Sequence, residues 1–327
     1  MFVKFPHIDN TWSDSLVEKC KSNGLMGVEC ICAVKIDGCN FQIGCDENGD
    51  FSIGSRNTEL KKDEDFSGCQ TVIRREELFK KVEEVKMLLD AKNVIVFGEL
   101  CGGLYRHKDV QKDNTAVRIQ GRVDYSPRNE WIVFDIAADG KFISQDKVAD
   151  VCKKVGLHSQ EVVFRGTLAE CLEFSPVFID KTGNNFWGFP VIEENVAEGV
   201  VIKPIEDVWI GSTRVVLKNK NPKFKERIKK IKAEATPFLN SLEQEWLNKA
   251  LELVNESRVW SAVSKLGAKP EFGDIMREVL TDVREELEPE IASVENASDP
   301  KEFSWKKINK ALSKEAAKTV RDVFLKL

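Results

Sequence analysis

The chain has 327 residues, a net charge of −5, and 42% hydrophobic and 31% charged residues. This is room for two domains of ordinary size with a soluble, globular composition, and it excludes a polycation, so any nucleic-acid contact must use a local patch. No apolar run could span a bilayer and the N-terminus carries no signal-peptide core; nine scattered cysteines without a C-x-x-C pair, beside three histidines, argue against structural zinc or a disulfide framework and for a reducing, intracellular compartment.

In chain order, residues 7–27 form an opening segment with one short helix around Ser13 to Ser22. Strands follow at 28–34, 40–45 and 50–54, the last two joined by the turn signal Asp46-Glu47-Asn48-Gly49. Leu78, Val82, Val85, Leu88 and Leu89 recur at helical spacing and predict one helix over 75–90. Val94 to Leu100 reads as a buried strand carrying Glu99 near its end. Residues 101–129 are loop-rich and hold Arg106, His107, Lys108, Arg118, Arg122 and Arg128. A strand at 131–136, a helix at 145–155, and strands at 161–164, 198–203 and 214–220 complete the first part. Near residue 233 the character changes. Four leucine-, glutamate- and lysine-rich helical patterns follow, which places a strand-rich domain at 1–234 and a helical one at 235–327.

The chemistry-bearing stretch is Lys35-Ile36-Asp37-Gly38, between the first two strands. It places a lysine at a strand end beside a turn, where Gly38 is expected to take a backbone angle other residues resist. A lysine attacks only as the neutral amine; the same tetrapeptide also fits a solvated hairpin. Other strand ends carry Arg56, Glu99, Glu198, Lys203, Lys218 and Lys220. Cations neutralise phosphate oxygens and carboxylates hold a hard divalent metal, so this set suits a phosphoryl site. Neither G-x-x-x-x-G-K-S/T nor a G-x-G-x-x-G after a strand is present, so a nucleotide must be held by side chains.

Lys35-Ile36-Asp37-Gly38, Ser55-Arg56, Phe97-Gly98-Glu99-Leu100, Val133-Phe134-Asp135, Glu198-Gly199-Val200-Val201-Ile202-Lys203 and Lys218-Asn219-Lys220 fall in the order of the covalent nucleotidyltransferase motifs. The chain most resembles the RNA ligase 2 family typified by the phage T4 enzyme, over nearly its whole length. The fold this implies is α+β: an antiparallel-sheet nucleotidyltransferase domain of the ligase and capping type, ATP-grasp-like, followed by a C-terminal α-helical domain.

The resemblance also implies roles. Lys35 would attack the α-phosphate of ATP and carry AMP, with Val34 and Ile36 beside it in the ATP site. Asn40 would help recognise the RNA 5′-phosphate end, and Arg56 the nucleotide or the RNA phosphate. Glu99 would hold the ribose hydroxyls, and Phe134 would stack on adenine. Glu198 would bind magnesium or manganese. Lys218 and Lys220 would grip the phosphates, and Lys203 a phosphate or the RNA. In the helical tail, Arg258, Asp282 and Glu286 match functional residues of that family by context, although an i,i+4 surface pair accounts equally well for Asp282 and Glu286. The implied partner is RNA with 3′-hydroxyl and 5′-phosphate ends, in a nicked duplex, bound by a monomer. Val34 stands where the phage protein has glutamate, and Asp37 where it has histidine.

Arg214 to Lys232 holds nine basic residues and one acidic; it reads as a phosphate-tracking patch or as a solvated helix face. The helical tail separates this chain from DNA ligases and capping enzymes, which append a barrel of strands. A GTP-dependent capping-type guanylyltransferase, a DNA ligase and an inactive RNA-binding relative are the alternatives.

Overall fold

The computed structural model describes residues 2–11, 14–224, 238–267, 270–297, 303–325 and 327. It divides into two units, Met1–Lys223 and Phe224–Leu327. The expected boundary at 234/235, and the basic stretch from 225 onward, lie outside the described residues.

The first unit opens with β1 (Asp9–Asn10), α1 (Asp14–Ser22), β2 (Glu29–Val34), β3 (Cys39–Cys45), β4 (Phe51–Ser55) and β5 (Glu59–Leu60). Then come α2 (Cys69–Arg75), α3 (Leu78–Leu88), β6 (Val94–Leu104), β7 (Ser126–Ala138), β8 (Lys141–Phe142) and α4 (Gln145–Val155). It closes with β9 (Val162–Thr167), α5 (Leu168–Glu173), α6 (Thr182–Trp187), β10 (Gly199–Pro204), β11 (Trp209–Ile210), β12 (Thr213–Arg214) and β13 (Leu217–Lys220). One sheet has the order β1-β13-β10-β2-β9, antiparallel except where β1 runs parallel to β13. The other has the order β5-β4-β3-β6-β7-β8 and is antiparallel throughout.

Alternation along the strands sets the layers. Phe41, Ile43, Val94, Val96 and Ile136 face a core shared with Val72 of α2, Val82 and Val85 of α3, and Val148 and Val151 of α4. On the opposite face Ile95, Phe97 and Phe134 pack with Phe5. Cys30, Cys32, Val200, Ile202 and Leu217 of the first sheet pack on Leu16 and Cys20 of α1 and Leu168 and Cys171 of α5. Each such buried aliphatic or aromatic side chain is worth roughly 1.5–3 kcal/mol. All nine cysteines are buried and none is in a disulfide.

The expected helix over 75–90 forms as α3, Leu78–Leu88, and an unexpected helix, α2, precedes it and ends at Arg75. Glu77 adopts a left-handed backbone between them, with φ 50°. Arg75 ends the first helix with its guanidinium on Glu130 and on the Asn129 carbonyl at 2.8 Å, which ties α2 to β7. The expected strand 214–220 is two pieces: Arg214 turns inward to Asp135 and Asp207, and only Leu217–Lys220 pairs with β10. The turn at Asp46 forms as read, its carboxylate accepting from the Asn48 and Asp50 amides at 2.9 Å, with Gly49 at φ 84°.

The second unit is helical: α7 (Ser241–Leu251), α8 (Glu256–Leu266), α9 (Phe272–Ala297) and α10 (Trp305–Phe324). Asn240 and Glu243 cap α7 reciprocally, and Asn255 caps α8. Trp246, Leu247, Val283, Leu287, Ile308 and Leu312 form its core. Among the described residues no helix is long and apolar enough to cross a membrane.

Candidate active site

Lys35 is the first residue beyond β2, a strand buried from Cys30 onward. Its amide donates to the Gly199 carbonyl at 2.9 Å, continuing the register that sets Val34 opposite Val200. Glu198, the residue before β10, therefore arrives beside it, although 163 positions separate the two. Lys35 Nζ lies 2.6 Å from Glu198 Oε2, and Lys220 Nζ lies 3.0 Å from the other oxygen, Oε1. The close passage of β13 requires glycine at 199: φ is 140° and a Cβ would meet the Asn219 carbonyl oxygen at 2.1 Å. Burial opposes the charge on Glu198, but Lys35, Lys220 and Arg122 outweigh it and hold the pKa at about 2. The carboxylate is ionised at any working pH.

Asp37 is 2% exposed. Arg122 forms an ion pair with it, Nε at 3.0 Å from Oδ2, and the Asp37 amide donates to the Tyr125 hydroxyl at 2.8 Å. Burial raises the Asp37 pKa, Arg122 opposes the rise, and the nearby Glu198 adds to it. Gly38 is needed for a reason other than the one expected. It is not among the positive-φ glycines; a Cβ there would sit 2.1 Å from the Leu100 carbonyl oxygen and 2.8 Å from Glu99 Cγ. Close approach of β6, not an unusual backbone angle, excludes a side chain.

Glu99 on β6 stands opposite Asn40 on β3. Burial pushes its pKa up to about 8, against the pull of Lys35 and Arg56 and with Glu198 and Asp37 adding to the rise. Asn40 Oδ1 is buried without a hydrogen-bond partner, an open acceptor beside Glu99. Arg56 follows β4 and is half-buried. Lys218 and Lys220 alternate with Asn219 on β13 and so share a face. Ile36 is buried. The Val34 backbone is fully engaged: its amide donates to the Glu161 carbonyl at 2.8 Å and its carbonyl accepts from Gln160 Nε2 at 3.1 Å.

Two residues lie elsewhere than expected. Phe134 is only 8% exposed, packed edge-on against Phe5 with centroids 5.0 Å apart, so its ring offers no open face for adenine in this state. Lys203 is 3% exposed. Its ammonium donates to the Phe134 carbonyl and to Gln160 Oε1 at 3.2 Å, with Asp135 at 3.9 Å. It braces the interior rather than reaching for phosphate or RNA. Burial pushes its pKa down to about 8; Asp135 opposes this and Arg214 adds to it.

The helical unit places its three candidates in ion pairs of its own. Arg258 pairs with Glu286 and also donates to the Leu253 carbonyl at 2.8 Å. Asp282 pairs with Lys265, which also reaches Glu278 at 3.1 Å. These pairs join α8 to α9.

Sequence reasoning gave no role to Arg122, Tyr125 or Gln160, which hold Asp37 and Val34. Arg122 carried the only signal, as one cation in a loop-rich segment; its partner lies 85 residues away.

The family model described as RNA ligase matches residues 28–251, more than half of the chain. RNA-editing ligase 1, mitochondrial, of Trypanosoma brucei brucei is 27% identical over 234 residues, covering 59% of this chain and 48% of the relative. RNA-editing ligase 2, mitochondrial, of the same organism is 27% identical over 233 residues, covering 62% and 55%. The chain thus spans about half the length of the curated relatives it matches. A Naegleria gruberi RNA ligase mutant solved with AMP and Mn gives a TM-score of 0.49 at 15% identity, covering 68% of this chain and 58% of that one. Another, solved with ATP and Mn, gives 0.49 at 13%, covering 68% and 57%. With a family match that runs from before Lys35 to beyond Lys220, the chain belongs to the RNA ligase family.

Proposed function

We propose that the chain joins RNA 3′-hydroxyl and 5′-phosphate ends using ATP, through AMP carried on Lys35. The observation that carries this reading is the Lys35–Glu198–Lys220 cluster, a primary amine at a buried, permanently ionised carboxylate with a second cation on its far side. In the first step the Lys35 ammonium gives up a proton to solvent and the amine attacks the α-phosphorus of ATP. A P–N bond forms, the P–O bond to pyrophosphate breaks, and a second proton passes from the nitrogen to solvent or to the departing pyrophosphate. In the second, the RNA 5′-phosphate oxygen attacks the same phosphorus and Lys35 departs. In the third, the RNA 3′-hydroxyl attacks the 5′-phosphorus and AMP leaves. Lys218 and Lys220 neutralise phosphoryl oxygens as charge moves onto them. Asn40 offers its open acceptor and Glu99 its carboxyl to donors on the bound nucleotide or RNA end, and Arg56 adds a cation at the edge.

The donor set fits a divalent ion that keeps most of its water. Among the described residues no three His, Cys, Asp or Glu converge to hold a metal directly. Asp37, Glu99 and Glu198 nevertheless lie close enough to perturb one another, and magnesium characteristically binds through one or two carboxylates and substrate phosphates. Glu198 is the residue that would hold it. When bound, such an ion supplies charge neutralisation on the triphosphate. The substrate assigned is a nick or break in RNA.

Incubation with α-labelled ATP and magnesium, followed by a denaturing gel, tests the reading. Wild-type chain acquires label; Lys35→Ala and Lys35→Arg do not, because arginine stays protonated and cannot attack. Label in either variant moves the nucleophile elsewhere, and equal labelling by GTP replaces ATP-dependent joining with a capping-type reaction.

A further inference from the structure

Five aromatic rings form a continuous row on the first unit. Tyr105 and Phe189 lie 5.1 Å apart, Phe189 and Trp187 6.4 Å, Trp187 and Phe186 5.6 Å. His158 stacks on Phe186 at 4.5 Å with the planes 15° apart, and meets Trp187 edge-on at 5.3 Å. Tyr105 is buried and anchored, its hydroxyl donating to the Pro190 carbonyl at 2.6 Å. The other four are half-buried, and none belongs to the clusters that form the main cores. Four partly open rings packed on one another at the end of a six-residue helix cost more to keep wet than aliphatic or polar residues would.

The row is wired to the active site. Asn185, the residue of α6 before Phe186, donates to the Glu161 carboxylate at 2.7 and 2.9 Å, and the Glu161 carbonyl accepts the Val34 amide. His158 accepts through its carbonyl from Val133 of β7 at 2.8 Å. Gly183 of α6 approaches the Tyr125 carbonyl so closely that a Cβ would stand 2.4 Å from it, and the Tyr125 hydroxyl receives the Asp37 amide. The segment that carries the row is thus linked through Asn185 and Glu161 to Val34, and through Gly183 and Tyr125 to Asp37. Its charge setting is mixed but supplied with cations: Lys181 is exposed at the start of α6, Arg106 beside Tyr105 is half-exposed against Asp124, and Lys81 and Glu76 both act on His158.

We infer that His158, Phe186, Trp187 and Phe189 form a stacking platform for an unpaired nucleobase of the RNA strand that enters the Lys35 site. The inference rests on the RNA-joining reading above. A π-face accepts any base, so the platform favours unpaired nucleotides near the junction without reading their sequence, while the flanking cations track the backbone. Burial lowers the His158 pKa, so the ring is neutral and presents an apolar face near neutral pH.

The test uses the full chain and a 5′-phosphorylated RNA with unpaired nucleotides at the junction, made also with abasic residues at successive unpaired positions. Trp187→Leu keeps apolar volume and loses the large ring; Trp187→Phe keeps a stacking face. Trp187→Leu should raise the KM for RNA about 10- to 100-fold, with Trp187→Phe near wild type and the yield of lysyl-AMP unmoved in both. One abasic position should reproduce that loss in wild-type protein and add little to it in Trp187→Leu. Three results overturn the platform: an unchanged KM for RNA, an abasic penalty undiminished in Trp187→Leu, or a matching loss of lysyl-AMP, which would make the row an adenine pocket or a structural prop. If wild-type chain takes no label from ATP, the joining reading fails by itself; a gel shift of the same RNAs by the two variants still decides the platform.

Discussion

Lys203→Met removes a buried ammonium from beneath the site, and its consequence depends on pH. The folded pKa is about 8, against 10.5 for an exposed lysine. At about 1.36 kcal/mol per unit, keeping this group charged costs the fold roughly 3 kcal/mol. Below pH 8 both folded and unfolded chains hold the proton and the cost is present in full. Between about 8 and 10.5 the folded chain releases its proton first, so wild-type stability rises with pH; above that the cost has gone. Methionine removes the cost but strands the Phe134 carbonyl and Gln160 Oε1, at roughly 1 kcal/mol each. The variant should therefore be about 1 kcal/mol more stable than wild type at pH 7 and about 2 kcal/mol less stable near pH 10.5. Urea unfolding of both proteins at pH 7, 9 and 10.5 measures the crossing. A stability difference that does not move with pH, or a loss of about 3 kcal/mol already at pH 7, refutes the reasoning. The same variant should label more slowly with ATP despite its stability, because Gln160 loses the ammonium that fixes it on the Val34 carbonyl.

Two further outcomes follow from the site. Glu198→Ala leaves Lys35 and Lys220 without their shared counter-ion, and sealing should fall at least ~100-fold, about 3 kcal/mol, as for loss of a preorganised electrostatic contact; a magnesium titration should recover only part of it, and an unaltered magnesium dependence would make Glu198 structural. Gly38→Ala must displace either Leu100 or the turn, so lysyl-AMP formation should drop sharply while Gly27→Ala, whose Cβ meets nothing and whose backbone angle suits any residue, should label like wild type; equal labelling by both would remove the close-approach argument.

What could be read in the sequence was whatever chemistry is carried by adjacent residues. Lysine before aspartate and glycine, the buried run ending at Glu99, and the alternating Lys218 and Lys220 each announce themselves within a few positions. The hairpin at Asp46 was legible for the same reason, since its carboxylate bonds its own neighbours. Long-range partnership was not. The unexpected helix α2 ends where Arg75 reaches across to Glu130, and Arg214 leaves the expected strand to reach Asp135, and no local periodicity records either contact. Phe134 and Lys203 match a motif by type, yet motif position does not specify exposure; only the packing of Phe5 over the ring and the burial of the ammonium do. Arg258, Asp282 and Glu286 show the same limit, since which cation each carboxylate meets depends on how α8 lies on α9.

The position of Lys35 follows from topology. β2 belongs to one sheet and β3 to the other, and only residues 35–38 separate them. That crossover is too short to wander, and three of its four residues are fixed by different neighbours. Lys35 continues the pairing with β10 and meets Glu198; Asp37 is held by Arg122 and Tyr125; Gly38 admits the Leu100 carbonyl of β6. The segment from His158 to Glu161 fastens the same joint from behind, bonded to Val133 of the second sheet and to Val34 of the first. The backbone of a residue placed there is held from both sheets, and the carboxyl groups of Glu198 and Glu99 lie within electrostatic reach of the Lys35 amine. The two sheets thus fix where the Lys35 side chain starts, and its ion pair with Glu198 fixes where the four rotatable bonds beyond it end.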